Sequence, residues 1–357
     1  MTGREWPRID VSMSQIRRAG GTLRNPAASS DERSAARKLA GQWRAAHAYP
    51  TNTWQIRVRR YVSHIPEALV AQRMKRLPSI EAKLQRFRNS QLHKMQDLGG
   101  VRVVLPKLDD VRELERKLLD RPNRHTLVKH TDYLMHPKDD GYRSIHLVYA
   151  YGTASPGPWE GYSVEIQLRT KAQHLWATAL ETVALFTNQK LKAGSGDDWW
   201  RRFFALMSAE IATAEGLPLT PGTPDSSEER RNEIWELELQ HEILARLRGF
   251  RHVVAEVKEG VEGASFVLLD LDLNDYMLET TGFSDREEAT RAYAALEAET
   301  RGDEDRDVVL VAVDGIGGLA AAYPNYFVDL DQFIDLTMYA MAVKRPGEEN
   351  GWAWLSH

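Results

Sequence analysis

The 357-residue chain reads as α+β, a mixed β-sheet flanked by helices and followed by a smaller C-terminal α+β domain. Three observations predict this. Gly99–Leu105, Ser144–Tyr151 and Tyr162–Arg169 are short Val/Ile/Leu-rich runs bounded by polar turns, as strands are. The stretches around them carry apolar residues at helical spacing. The segment 216–227, with Pro218, Pro221, Pro224, Gly216 and Gly222, cannot continue a helix and marks a linker.

In chain order, Ser30–His47 is expected to be helical, with Leu39 and Trp43 four apart, inside an N-terminal extension (1–50) that braces the next domain. Trp54–Leu69 and Ser79–Phe87 read as helices, the second with Pro78 near its first turn, where a missing N–H costs nothing. Leu108–Leu119 puts Val111, Leu114, Leu118 and Leu119 on one face. Ala172–Phe186 and Asp197–Ala214 read as helices, and the aromatic cluster Trp199, Trp200, Phe203 and Phe204 as core. Residues 51–215 then form one domain and 228–357 another. In the latter, Glu228–Val257 reads as one long charged helix. Strands are expected at Phe266–Leu273, Tyr276–Thr280 and Val308–Val313, and helices at Asp285–Glu299 and Leu330–Met341.

A composition of 42% hydrophobic and 27% charged residues is that of a soluble protein, with no run of membrane-spanning length and no secretory core after Met1, so a cytoplasmic location is expected. The absence of cysteine excludes disulfides and thiolate-held metals. A catalytic ion would then be held by oxygen or histidine, magnesium rather than zinc. The net charge of −4 conceals a division: Thr51–Ser90 has nine Lys/Arg against two Glu, whereas 225–306 has 22 Asp/Glu against 10 Lys/Arg. A basic, phosphate-handling half is thus succeeded by an acidic one.

The residues that carry chemistry cluster on the three strands. Alternation places Glu165, Gln167 and Arg169 on one strand face, and Tyr142, Ser144 and His146 likewise. Asp97 precedes Gly99-Gly100, where a missing side chain admits close approach. If Asp97 and Glu165 meet across the sheet they can hold magnesium; the structural alternative is an Asp capping a turn and a Glu paired with Arg169. Arg73 and Lys75 lie just before a helix on which Ser79 and Lys83 share a face, so four polar groups can converge on one polyphosphate.

These residues also resemble a known family. Asp97 opening an apolar strand, Gly141-Tyr142-Arg143-Ser144-Ile145-His146 and Glu165-Ile166-Gln167-Leu168-Arg169-Thr170 resemble the synthetase domain of RelA/SpoT proteins, over roughly the middle half of the chain. The resemblance implies a nucleotidyltransferase-like fold and transfer of pyrophosphate from ATP to a ribose 3′-hydroxyl. Asp97 and Glu165 would be the catalytic, magnesium-holding carboxylates. The spacing of Arg73, Lys75, Ser79 and Lys83 matches the family's ATP-binding segment, and Arg102 is assigned to the phosphates. Tyr142 is assigned to stacking on the acceptor base, with His146, Gln167 and Arg169 completing the acceptor side. No His-Asp dipeptide occurs, so the family's hydrolase motif is missing.

Two departures bear on the acceptor. The helix after Thr170 lacks the acid-histidine and Tyr-Lys pairs of many alarmone synthetases. Tyr323-Pro324-Asn325-Tyr326 resembles the Tyr-x-x-Tyr element of CapRel-type fused toxin–antitoxin proteins. That likeness implies the tRNA 3′-CCA end as acceptor and arrest of translation. It also implies autoinhibition through Tyr323 and Tyr326 of a pseudo-zinc-finger-like C-terminal domain, and a phage protein as trigger. The runner-up is a GTP or GDP 3′-pyrophosphokinase making (p)ppGpp; a reading of another class is an inactive nucleotide-sensing module.

Overall fold

The structure is a computed structural model, which describes residues 6–87, 89–120, 124–153, 157–187, 198–260, 264–272, 277–300, 306–312 and 326–341. Its contacts divide the chain into two units, Met1–Tyr133 with Ser144–Thr170, and Leu134–Arg143 with Lys171–His357.

The first unit opens with helices α1 (Met13–Arg24), α2 (Ser30–Ala46) and α3 (Ala48–Val62). Ser12 and Ser29 start α1 and α2 with reciprocal capping boxes to Gln15 and Glu32, satisfying amide donors that helix ends leave free. A five-stranded mixed sheet is built from β1 (Leu69–Met74), β2 (Gly99–Leu105), β3 (Thr126–Asp132), β4 (Ile145–Ala150) and β5 (Ser163–Thr170) in the order β1-β2-β5-β4-β3. β2 and β5 are parallel; the other pairs are antiparallel. Helices α4 (Leu77–Arg86) and α5 (Leu108–Asp120) connect β1 to β2 and β2 to β3.

The three apolar strands fall where the sequence places them, because β2, β4 and β5 lie inside the sheet and bury their Val, Ile and Leu side chains. The two edge strands do not. The helix expected over Trp54–Leu69 is α3, which starts at Ala48 and stops at Val62, and β1 runs from Leu69, the last residue of that expected helix, to Met74, where no strand is expected. β3 is exposed from Thr126 to His130, so it shows no half-buried alternation to read. β4 begins at Ile145, which leaves Tyr142 and Arg143 ahead of the strand rather than on it.

In the second unit, α6 (Lys171–Phe186) starts directly after β5, and α7 (Asp198–Glu215), α8 (Ser227–His241) and α9 (Ile243–Gly260) succeed it. Then come β6 (Phe266–Asp272), β7 (Met277–Phe283), α10 (Arg286–Glu299), β8 (Arg306–Ala312) and α11 (Tyr326–Met341). The strands form an antiparallel sheet in the order β7-β6-β8. One apolar core joins Leu175, Trp176 and Phe186 of α6, Phe203 and Phe204 of α7, Ile234 of α8, Leu247 of α9 and Leu330 and Phe333 of α11. Trp200, Phe203 and Phe204 of α7 are therefore core, with Phe204 stacked on Phe333 at 5.8 Å, and Trp199 is partly buried against them.

The stretch 216–227 joins α7 to α8 inside this unit. Its carbonyls are held by two buried arginines: Arg143 Nη2 donates to Pro218 O (2.7 Å), and Arg230 Nη1 to Pro224 O (2.7 Å) and Asp225 O (2.9 Å). The long helix expected over 228–257 is two helices. Glu242 between them adopts φ 48°, a left-handed conformation with no Gly or Pro to announce it, and Leu244 N is captured by Glu238 Oε2 at 2.9 Å. Among the described residues no helix is long and apolar enough to cross a membrane.

Candidate active site

Sheet register sets two rows of residues side by side. Arg73 pairs with Gly100, Gly100 with Glu165, and Glu165 with Val148. In the next row Arg102 pairs with Gln167 and Gln167 with His146. Directly opposed residues point to the same face, so Glu165, Gln167, Arg102 and His146 share one. Gly100 clears the space between Arg73 and Glu165: a Cβ there would lie 3.1 Å from Glu165 O and 3.9 Å from the backbone of Arg73.

Glu165 is fixed by two residues of the second row. His146 Nδ1 lies 2.9 Å from Oε1, and Gln167 Nε2 donates to Oε2 at 2.7 Å. Burial pushes this carboxyl up, and the Asp97 charge adds to that. The hydrogen bonds from His146 and Gln167 and the His146 charge outweigh both, and hold Glu165 below the usual carboxylate range. Arg169 is buried near the far end of β5. His146 and Gln167, read as acceptor-side groups, thus also serve as the clamp on Glu165.

Asp97 sits in the turn entering β2. Its Oδ2 accepts from Lys75 Nζ at 3.0 Å and from Lys83 Nζ at 2.8 Å. Burial raises its pKa, but the two ammonium groups win, and Asp97 is held below the ordinary 3.8. Lys75 is placed by the β1 exit, where its N–H donates to Leu98 O at 2.9 Å. Lys83 lies one turn beyond Ser79 on α4, whose Pro78 stands in the first turn as expected. Arg73 and Ser79 are exposed, while Arg102 is buried on β2.

The structure thus brings Asp97, Lys75 and Lys83 together, and Glu165, Gln167 and His146 together, with Asp97 and Glu165 near enough for the Asp97 charge to act on Glu165. Tyr142 belongs to the second unit, where Asp140 Oδ1 accepts from its N–H at 2.9 Å and Lys138 Nζ stands 4.7 Å from its ring. Tyr323 lies outside the described residues, and Tyr326 is the first residue of α11. No cluster of three or more His, Cys, Asp or Glu that could hold a metal occurs among the described residues. The carboxylate pair nevertheless suits an oxygen-loving cation, because Asp97 Oδ1 is buried with no hydrogen-bond partner among the described residues.

The chain is similar to known proteins. The family described as "Region found in RelA / SpoT proteins" matches residues 72–190. The GTP pyrophosphokinase YjbM of Bacillus subtilis is 36% identical over 118 residues, 32% of this chain and 55% of that protein. GTP pyrophosphokinase YwaC of the same organism is 30% identical over 120 residues, 32% of this chain and 57% of its own length. The GTP pyrophosphokinase of Escherichia coli K12 is 35% identical over 108 residues, 30% of this chain and 13% of that protein. The chain thus spans just over half the length of the two Bacillus relatives. The matched region holds β1 from Gln72, α4, and β2 to β5, with every residue of the two rows and of the Asp97 cluster. Residues 72–190 are therefore similar to the region found in RelA / SpoT proteins.

Proposed function

We propose that the chain transfers the β,γ-pyrophosphate of ATP to a ribose 3′-hydroxyl. The observation that carries this reading is the pair of partly buried, ionised carboxylates, Asp97 at the entry of β2 and Glu165 on β5, set beside Lys75, Lys83 and Arg73. The acceptor 3′-oxygen forms a bond to the β-phosphorus, the bond to the α-phosphate oxygen breaks, and AMP leaves. Asp97 and Glu165 would hold Mg²⁺, which when bound neutralises phosphate charge as it develops. Lys75 and Lys83 neutralise Asp97 in the free protein and would be shared with the incoming phosphates, together with Arg73, Ser79 and Arg102. Glu165, kept as a carboxylate, would hold the cation or take up the hydroxyl proton. Gln167, His146, Arg169 and Tyr142 would serve the acceptor.

The favoured acceptor is the tRNA 3′-CCA end, in a self-inhibited toxin whose acidic, pseudo-zinc-finger-like C-terminal half restrains it until a phage protein binds. Supporting this are the missing acid-histidine and Tyr-Lys pairs on α6, the Tyr323/Tyr326 element and the opposed charges of the two halves. The names of the relatives favour a second reading, a GTP or GDP acceptor.

A transfer assay with γ-labelled ATP and Mg²⁺, offering GDP, GTP and deacylated tRNA separately to the full chain, decides between them. Label in tRNA, lost in Glu165→Gln and raised in Tyr323→Ala/Tyr326→Ala, is the expected result. Label in guanosine nucleotides alone would establish the second reading, and label nowhere would favour a nucleotide-sensing module.

A further inference from the structure

The family match begins at residue 72, yet the segment before it packs at the entries of β2 and β5, just after Asp97 and just before Glu165. Gly99, the first residue of β2 and two beyond Asp97, is covered by the start of α3. A Cβ at Gly99 would overlap Thr51 Oγ1 and lie 3.3 Å from His47 Cβ. Thr51 is 0% exposed, and its hydroxyl donates to His47 O at 2.7 Å. His47 is 1% exposed, with Nδ1 2.8 Å from Trp43 O. Its ring packs 4.7 Å from Trp43 and 4.8 Å from Tyr162. Tyr162 immediately precedes β5 and stands three residues before Glu165. The two contacts fall at the same end of two parallel, paired strands, since Gly99 is in register with Val164.

We infer that His47 and Thr51 are positioning residues for the carboxylate pair, gripping the entries of β2 and β5 so that the distance between Asp97 and Glu165 is set from the N-terminal helices. The inference rests on the reading of that pair as the cation and transfer site. A tight, apolar-walled grip is suited to this, because an interior packed at crystal density passes a displacement of one group directly to its neighbour, and small misplacements at a reacting centre cost far more rate than stability.

The test is a double-mutant cycle on the full chain between Gly99→Ala and Thr51→Ala. Three quantities are read: kcat for pyrophosphate transfer, affinity for Mn²⁺ alone by titration, and Tm. Gly99→Ala, which drives a methyl group into Thr51, is expected to lower kcat about a hundredfold and Mn²⁺ affinity about tenfold or more. Thr51→Ala in the same chain makes room for that methyl, and should restore at least about tenfold in kcat and most of the Mn²⁺ affinity. If Gly99→Ala does not fold, Thr51→Ala against Thr51→Ser decides: the alanine variant should weaken Mn²⁺ binding several-fold with its circular dichroism unchanged, and the serine variant should match the parent. A double mutant that regains Tm without regaining kcat and Mn²⁺ affinity, or a Gly99→Ala variant that loses Tm alone, overturns the inference. If the parent chain transfers to no acceptor, the reaction reading fails and Mn²⁺ binding alone judges the brace; a parent that binds no Mn²⁺ overturns it as well.

Discussion

Two lysines share one oxygen of Asp97 while its other oxygen has no hydrogen-bond partner among the described residues. That asymmetry makes Asp97 the more informative carboxylate to alter. Asp97→Asn keeps the shape, removes the charge and leaves Lys75 and Lys83 uncompensated; it should lower transfer about a hundredfold or more, measured with labelled ATP under saturating Mg²⁺. Two buried histidines give a second residue-scale prediction. Burial holds His47 and His125 at about 4, whereas the unfolded chain takes up their protons near 6.5. The unfolded state therefore binds more protons between those values, so stability should be level above about pH 6.5 and fall steadily toward about pH 4. Urea unfolding across that window checks it, and a His125→Phe variant should show a shallower fall. Neither histidine stands out in the sequence, where a histidine among aromatics gives no sign of whether it is buried. The Asp97–lysine contacts are equally hidden there. The spacing of Lys75 and Lys83 announces a phosphate site, but nothing in a linear pattern shows that they also neutralise a carboxylate 14 or 22 positions away.

At the scale of elements, legibility tracks burial. β2, β4 and β5 lie between neighbours and carry the apolar runs that reveal strands, and α5, α6 and α7 match their expected spans within a residue or two. The edges β1 and β3 escape a reading of the sequence because a strand with one partner and exposed side chains has neither a buried run nor an alternation. The break between α8 and α9 escapes it because a left-handed glutamate carries no signature. That break is itself testable. Glu242 bears the cost of a left-handed conformation that glycine would not, and its charge also repels Glu238, whose carboxyl burial already pushes up. Glu242→Gly should raise stability by about 1 kcal/mol, read as a higher urea midpoint with an unchanged m-value.

For the whole molecule, charge is the variable that separates the two acceptor readings. A polynucleotide that uses the basic stretch of Thr51–Ser90 releases counterions, so three phosphate contacts would weaken its binding by about 20- to 40-fold between 50 and 200 mM salt. A single guanosine nucleotide carries no condensed counterion layer to release, so its binding falls less with salt. The expected outcome is a KM for tRNA that climbs steeply with NaCl while KM for ATP climbs far less; equal, shallow slopes would count against tRNA. The shared core of α6, α7, α9 and α11 has a consequence for how the chain is made. α6 leaves the ribosome long before Phe333, and at about 5–20 residues per second the wait for α11 is roughly 10–30 s. Throughout that interval Trp176, Phe203 and Phe204 lack the partners that finally cover them, so every newborn copy passes through a stage in which its first unit can be complete while its second is still sticky. Chaperones that recognise apolar helices would meet this chain during synthesis, not after it.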